Sequence, residues 1–529
     1  MPTSAGSAEK NLHMEEKKIV IGGCGPAGLT AAWRLVQEGY RPLLLEETDQ
    51  IGGLSRTEKY HGNCLDIGGH RFFTKSPEVK ELWHSLFPLQ GSPAKDDIAL
   101  NHPVELADGG PDPERSERVM LNRTRISRIF YRGHLFDYPL SPSFGTLLKL
   151  GIGNSIRIFF GYLAVQFFKR KERSLEDFYI NRFGKPLYET FFRDYTRKLW
   201  GISPAEIAPD WGRQRVKGLS LWKALFSAVA GPFCRKKETS LIESFEYPKR
   251  GPGQYWECMA EEICKRGGTI RFHAKITGVR TENGKVVEVE YRENGTVQKE
   301  RCDTFFSSIP VRDLIAGMND VPEEVRQPAE ALPYRDFITV GLLLDKMCLR
   351  NDTARKTWND IIPDCWIYIQ EKEVRIGRLQ IFNNWSPYLP HDPEKQVWIG
   401  LEYFCSENDD LWNMSDRQFI DFAIGELEKI HFIRKEDVLD AIRIRVPKAY
   451  PAYFGTYARW ETIRQYLDRF DNLLCIGRNG QHRYNNMDHS MLTGLKAVEV
   501  MNGSARKEEL WNINAEQTYH ETDSPRDSR

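Results

Sequence analysis

The ten cysteines include no Cys-x-x-Cys pair, and the twelve histidines form no cluster at zinc-ligand spacing. A redox dithiol motif and a structural zinc site are therefore not expected. No metal ligand is assigned, and the thiols read as reduced structural residues. No apolar run reaches the ~18–20 residues of a membrane-spanning helix. The nearest runs, 144–168 and 219–233, are interrupted by Lys149, Arg157 and Lys223. The first 16 residues are polar, so no secretory leader is expected and the chain reads as cytoplasmic. Nor is one charge in excess. The 74 Lys and Arg match 74 Asp and Glu, which argues against a nucleic-acid binder.

What is there points to a globular protein. At about 150 residues per domain, 529 residues suggest two to four domains. A chain of this length can build a large core without disulfides. The zero net charge conceals an asymmetry: residues 145–237 hold 18 Lys and Arg against 7 Asp and Glu, a local +11. An anionic substrate or an anionic membrane surface is expected to face this stretch. Apolar residues before the basic run 169–173, and again before Arg235-Lys236-Lys237, would suit amphipathic helices lying on a bilayer. They would equally suit helices that cover another domain.

The ordered chain opens with a buried-strand pattern at 18–22, a helix pattern at 27–38 and a second strand at 42–46, a β-α-β unit that implies a parallel sheet. The turn between the first two reads Gly23-Cys-Gly25-Pro-Ala-Gly28. In such a G-x-G-x-x-G the first glycine permits the tight turn. The second admits a pyrophosphate to the backbone, and the third lets helix and strand pack closely. Glu46, 18 residues after Gly28, ends the second strand where a ribose hydroxyl would lie. A second glycine segment, Ile51-Gly52-Gly53-Leu-Ser-Arg56, offers another close backbone approach and a cation for a pyrophosphate. Further strands are expected at 269–272, 304–309 and 473–476, a hairpin at 275–291 turning on Asn283-Gly284, and a last helix at 488–501.

The Gly52-Gly53 segment resembles the glycine pair of FAD enzymes of the amine oxidase and protoporphyrinogen oxidase type, which makes FAD the expected cofactor. In that superfamily the last helix points its N-terminus at the flavin, which implies that Gly477, Asp488, His489 and Ser490 border the cofactor. Other blocks resemble UDP-galactopyranose mutase: Gly68-Gly69-His70-Arg-Phe-Phe-Thr74; Phe183-Gly-Lys-Pro-Leu-Tyr188; Tyr195-Thr-Arg-Lys-Leu-Trp200-Gly201; Lys249-Arg-Gly-Pro-Gly253; and Gly477-Arg478 through Ser490. That family uses reduced FAD, with flavin N5 as the reacting atom, to convert UDP-galactopyranose and UDP-galactofuranose without net redox change. Arginines and tyrosines hold the substrate diphosphate. The resemblance implies roles for Gly69 at the flavin, for His70 and Arg478 in catalysis, and for Tyr450 at the substrate. The family's second diphosphate tyrosine falls on Asn485, a departure. Arg483 is a further catalytic candidate, and Arg378 and Tyr484 are further substrate candidates. Each has a bland alternative: His70 as a hydrogen-bonded structural residue, the arginines as ion-paired or solvated, Trp200 as core.

The fold expected is α/β, a discontinuous Rossmann-type FAD-binding domain of the glutathione-reductase-like class with an inserted helical region and a mixed-sheet substrate domain. Its FAD-binding pieces are placed at 17–90, 248–310 and 466–506. A loop is expected at 91–119, a mostly helical substrate- or membrane-facing region at 120–247, a substrate domain at 311–465, and tails at 1–16 and 507–529. The function expected is that of an FAD-dependent oxidoreductase on a small molecule, sugar-nucleotide or lipid-linked. The alternative is a mutase-like isomerase with reduced FAD. Peripheral membrane contact through 144–237 is carried as an open expectation, and no oligomeric state is read.

Overall fold

The run Ile19–Gly22 is buried at every position, as a central parallel strand requires. In the computed structural model it is flanked on one side by Thr304–Ser307 and then Leu473–Cys475, and on the other by Leu43–Leu45 and then Thr269–Arg271. All four pairings are parallel, so one sheet is gathered from four distant parts of the chain. The helices Pro26–Gln37 and Pro252–Lys265 cover this sheet together with Met487–Met501, and share one apolar cluster with it. The strands Ala274–Glu282 and Lys285–Glu293 form the expected hairpin, with Asn283 and Gly284 both at positive φ. Residues 17–138, 140, 144–209, 211–212 and 244–514 are described by the structure. The residues 1–16 and 515–529, and the apolar-basic stretch 219–237, lie outside them.

A second sheet has seven strands in the order Val438–Pro451, Tyr334–Leu344, Val397–Cys405, Arg378–Ile381, Trp366–Ile369, Ser127–Tyr131, His134–Asp137. It is mixed, because Trp366–Ile369 runs parallel to Ser127–Tyr131 while the other pairs are antiparallel. Short helices between Phe144 and Trp200 pack at its end through Phe183, Tyr188, Phe191 and Trp200.

Several boundaries fall elsewhere than the sequence pattern places them. Residues 120–137 are not helical but form three strands. The last two pair as a hairpin, but the other partners, Ser244–Pro248 and Trp366–Ile369, lie over a hundred residues away, out of reach of any local pattern. The loop expected at 91–119 contains the helix Lys95–Leu100. The helices Val311–Gly317 and Glu323–Glu330 pack into the core of the parallel sheet with Phe305 and Leu473, and not with the second sheet. The expected tail begins with a helix, Lys507–Asn512, anchored by buried Leu510 and Trp511. Among the described residues no helix is long and apolar enough to cross a membrane.

Candidate active site

The first strand ends in the glycine turn. Gly23 has φ +95°, and a Cβ there would stand 2.3 Å from Ser308 Oγ. On Gly28 a Cβ would stand 2.0 Å from the Gly23 carbonyl oxygen, so strand and helix meet with no room for a side chain. Gly25 differs: its added Cβ would meet only Gly53 Cα, at 3.8 Å, which leaves the face above its backbone open. Gly53 approaches from the other side, where a Cβ would lie 3.1 Å from Gly25 Cα. The two glycine segments therefore confront each other across the floor of one chamber. Glu46 also lines that chamber. Its carboxylate accepts from the Cys24 N–H (2.8 Å) and from the Thr48 N–H and hydroxyl (3.0 and 2.8 Å). Gly477, Asn486 and Ser490 close the far side, so the first turns of two helices, Pro26–Gln37 and Met487–Met501, border one cavity. Two helix N-termini beside open glycine backbone form a site for an anionic group such as a pyrophosphate.

A second chamber adjoins the first, and His70 and Arg478 line both. His70 is half-buried, with Nδ1 enclosed and unpartnered. Burial, aided by the charges of Arg478 and Arg378, pushes its pKa down to about 3, so the ring is neutral. Arg478 is held by two carbonyls, Asn485 O (2.9 Å) and Ala449 O (3.1 Å), and lies 4.6 Å over the Tyr484 ring. Tyr484 stacks on Tyr450, with centroids 5.6 Å apart and planes at 17°. Arg378 donates to the Tyr450 hydroxyl (3.2 Å) and pairs with Glu402 (2.5 Å), its directly opposed cross-strand neighbour. Burial raises the Tyr450 phenol, which therefore stays a proton donor at neutral pH. Arg71 is a third guanidinium in this wall, which also holds the carboxylates of Glu402 and Asp488. Burial raises Asp488 as well. The chamber is thus cationic and ringed by phenols and by Trp366 and Trp385.

The profile of the family described as flavin containing amine oxidoreductase matches residues 26–499. The chain belongs to that family. FAD is its cofactor, and the open backbone over Gly25, the paired helix N-termini and the carboxylate of Glu46 suit that group. The L-amino-acid oxidase of the snake Crotalus adamanteus is 22% identical over 442 residues, 80% of this chain and 73% of that protein. A Klebsiella pneumoniae protein assigned as a UDP-galactopyranose mutase is 24% identical over 202 residues, 37% of this chain and 44% of that protein. Among solved structures, reduced UDP-galactopyranose mutase superposes with a TM-score of 0.75 at 21% identity. That match covers 94% of this chain and 98% of that one. The fold expectation holds: it is a flavoenzyme fold of the amine oxidase and mutase type.

Most of the expected site residues gather around these two chambers. Gly23, Gly25, Glu46, Gly53, Gly477 and Ser490 line the glycine-floored side, and Gly69, Arg378, Tyr450, Tyr484 and Asp488 the cationic side. Gly28 and Gly52 lie behind the lining and shape it: Gly28 by close packing, and Gly52 by a turn with φ +102°. His489 also sits behind the lining, its Nδ1 accepting from the Asn486 N–H (3.3 Å) at the start of the last helix. Three expectations are corrected. Arg56 does not face the cavity; it pairs with Glu58 (2.7 Å) and donates to the Gly53 carbonyl. Arg483 points away from both chambers and donates to the carbonyls of Trp511 (2.5 Å) and Ile513 (3.1 Å), tying down the terminal helix. Asn485 lies on the glycine-floored side, its amide bonded to Gln481 and Asn514. Tyr484, one residue earlier, is the side chain beside Tyr450. Trp200 is core, edge-on to Trp211 at 5.7 Å. Sequence reasoning missed Glu402 and Arg71. For Glu402 a signal existed: it is the one carboxylate in the strand Val397–Cys405, which is buried along its whole length.

Proposed function

We propose that this flavoenzyme binds a diphosphate-linked sugar in the cationic chamber and rearranges the sugar ring with reduced FAD, as a mutase does, without net redox change. The observation that carries this reading is the group formed by Tyr450 and Tyr484, stacked on each other, with Arg378 and Arg478 against them beside His70. Two fixed guanidiniums and two protonated phenols match a diphosphate, which offers only acceptors. The likeness to reduced UDP-galactopyranose mutase along nearly the whole chain supports it.

In this reading Gly25, Gly53 and the first turns of the two helices hold the FAD pyrophosphate, and Glu46 holds a ribose. Bound and reduced, the flavin supplies an electron-rich centre for reaction at a sugar carbon. The chain does the rest. Arg378, held in place by Glu402, and Arg478, held by two carbonyls, bind and orient the diphosphate. Tyr450 and Tyr484 donate to its oxygens. His70, neutral and with Nδ1 free, gives or accepts one hydrogen bond where the chambers meet. Trp366, Trp385 and Phe337 exclude water.

Family membership favours a second reading, hydride transfer from an amine or similar substrate to the flavin. Among the described residues no lysine lines the cationic chamber, whereas many oxidases place one at the flavin. Calorimetric titration of the FAD-loaded protein with UDP-galactose and with UDP separates the two. Binding of both is expected, weakened about 10-fold or more by the joint replacement of Arg378→Met with Glu402→Gln, which removes the cation without stranding its partner. No binding of either nucleotide, with anaerobic bleaching of the flavin by an amino acid, would establish the second reading.

A further inference from the structure

The helix Ile152–Phe167 carries two apolar stripes, and only one of them is buried. Its inner side packs into the helical cluster through Ile158 and Val165, and Tyr162 on that side is buried too. Gly161 brings it hard against Pro186, where a Cβ would stand 2.4 Å from the ring Cδ. The direction of the outer side is therefore fixed. That side carries Ile152, Ile156, Phe159, Phe160 and Phe167, a single stripe at helical spacing, continued by Phe168. Ile152, Phe160, Phe167 and Phe168 are 72, 63, 80 and 80% exposed. An apolar stripe of this size left in water marks a binding surface. Its sole charge, Arg157, is taken up by Glu189 (3.0 Å). The chain then passes directly into Lys169-Arg-Lys-Glu-Arg173. Among the described residues, no ion pair involves Lys169, Arg170, Lys171 or Arg173.

We propose that residues 152–173 form a membrane-docking surface that lies in the plane of an anionic bilayer. Charge complementarity selects this occupant. Acyl chains accept the aromatic and aliphatic stripe, and anionic headgroups meet the basic run at its end. A second copy docked through the same face would set one basic run against another. At 16 residues the helix is too short to span the bilayer, so it lies along the surface.

The test is sedimentation of the full FAD-loaded chain with two vesicle types, phosphatidylcholine alone and phosphatidylcholine with about a third phosphatidylglycerol. Binding to the anionic vesicles, at least about 10-fold above the neutral ones and lost in high salt, is expected. Joint Ile156→Glu and Phe160→Glu replacement should abolish it. Joint Lys169→Glu and Lys171→Glu replacement should weaken it about 10-fold or more while leaving the flavin spectrum unchanged, since none of these residues lines either chamber. Protein that stays in the supernatant with both vesicle types overturns the proposal, as do variants that bind like the parent. So does a dimer, seen in sedimentation velocity, that Phe160→Glu dissociates with no vesicle binding by the parent.

Discussion

His70 and Asp66, four residues apart, are groups whose protonation is displaced in opposite directions. Burial, with Arg478 and Arg378 nearby, lowers His70 from 6.5 to about 3. Burial raises Asp66 from 3.8 to about 7, against hydrogen bonds from Tyr247 and Thr57 that pull the other way. Between pH 3 and 6.5 the unfolded chain binds a proton at His70 that the folded chain does not, so this residue makes stability rise with pH. Between pH 3.8 and 7 the folded chain holds a proton on Asp66 that the unfolded chain releases, so this residue makes stability fall with pH. In the wild type the two slopes oppose each other. Urea unfolding across about pH 4–6.5 should therefore fall with pH in His70→Gln and rise with pH in Asp66→Asn, each by up to ~1.4 kcal/mol per pH unit. Equal slopes in both variants would refute this balance. Gly28 makes a sharper test of packing. Its Cβ would stand 2.0 Å from backbone, so Gly28→Ala should cost about 3 kcal/mol or more and yield colourless protein, read by flavin absorbance and urea midpoint. The glycines were legible in the sequence because their constraint is local, a turn and a close approach within a few residues. The Arg378–Glu402 pair was not, because sheet register alone brings those residues face to face.

At the scale of elements, the strands and helices of the first β-α-β unit and the last helix stand where their periodicity places them, because each is read from its own residues. The strands Met120–Thr124 and Ser127–Tyr131 and the helix Lys507–Asn512 escaped that reading, since each is short and stabilised by distant partners. Arg483 shows the consequence. Its position beside the flavin segment suggested catalysis, yet its guanidinium serves the carbonyls of Trp511 and Ile513. Arg483→Leu should lower stability by about 1.5–3 kcal/mol in urea unfolding and leave affinity for UDP-galactose unchanged. A loss of affinity without a loss of stability would return Arg483 to the site. Asn485 and Tyr484 differ by a single step of chain, and which of two neighbours turns inward after the short helix Gly477–Gly480 is a backbone matter that a motif does not encode.

At the scale of the whole molecule, the zero net charge resolves into separate surfaces. The glycine-floored chamber carries Glu46, Glu47 and Asp313, the adjoining chamber carries three guanidiniums, and a helical projection carries apolar residues with a basic run. The fold brings the first two into contact at His70 and Arg478, which is the arrangement a cofactor and an anionic substrate require. The central claim is that the reduced flavoenzyme rearranges a diphosphate-linked sugar. Its most direct test is to incubate dithionite-reduced and air-oxidised enzyme with UDP-galactofuranose and to resolve the nucleotide sugars by chromatography. UDP-galactopyranose is expected from the reduced enzyme and none from the oxidised one; unchanged UDP-galactofuranose in both would contradict mutase chemistry.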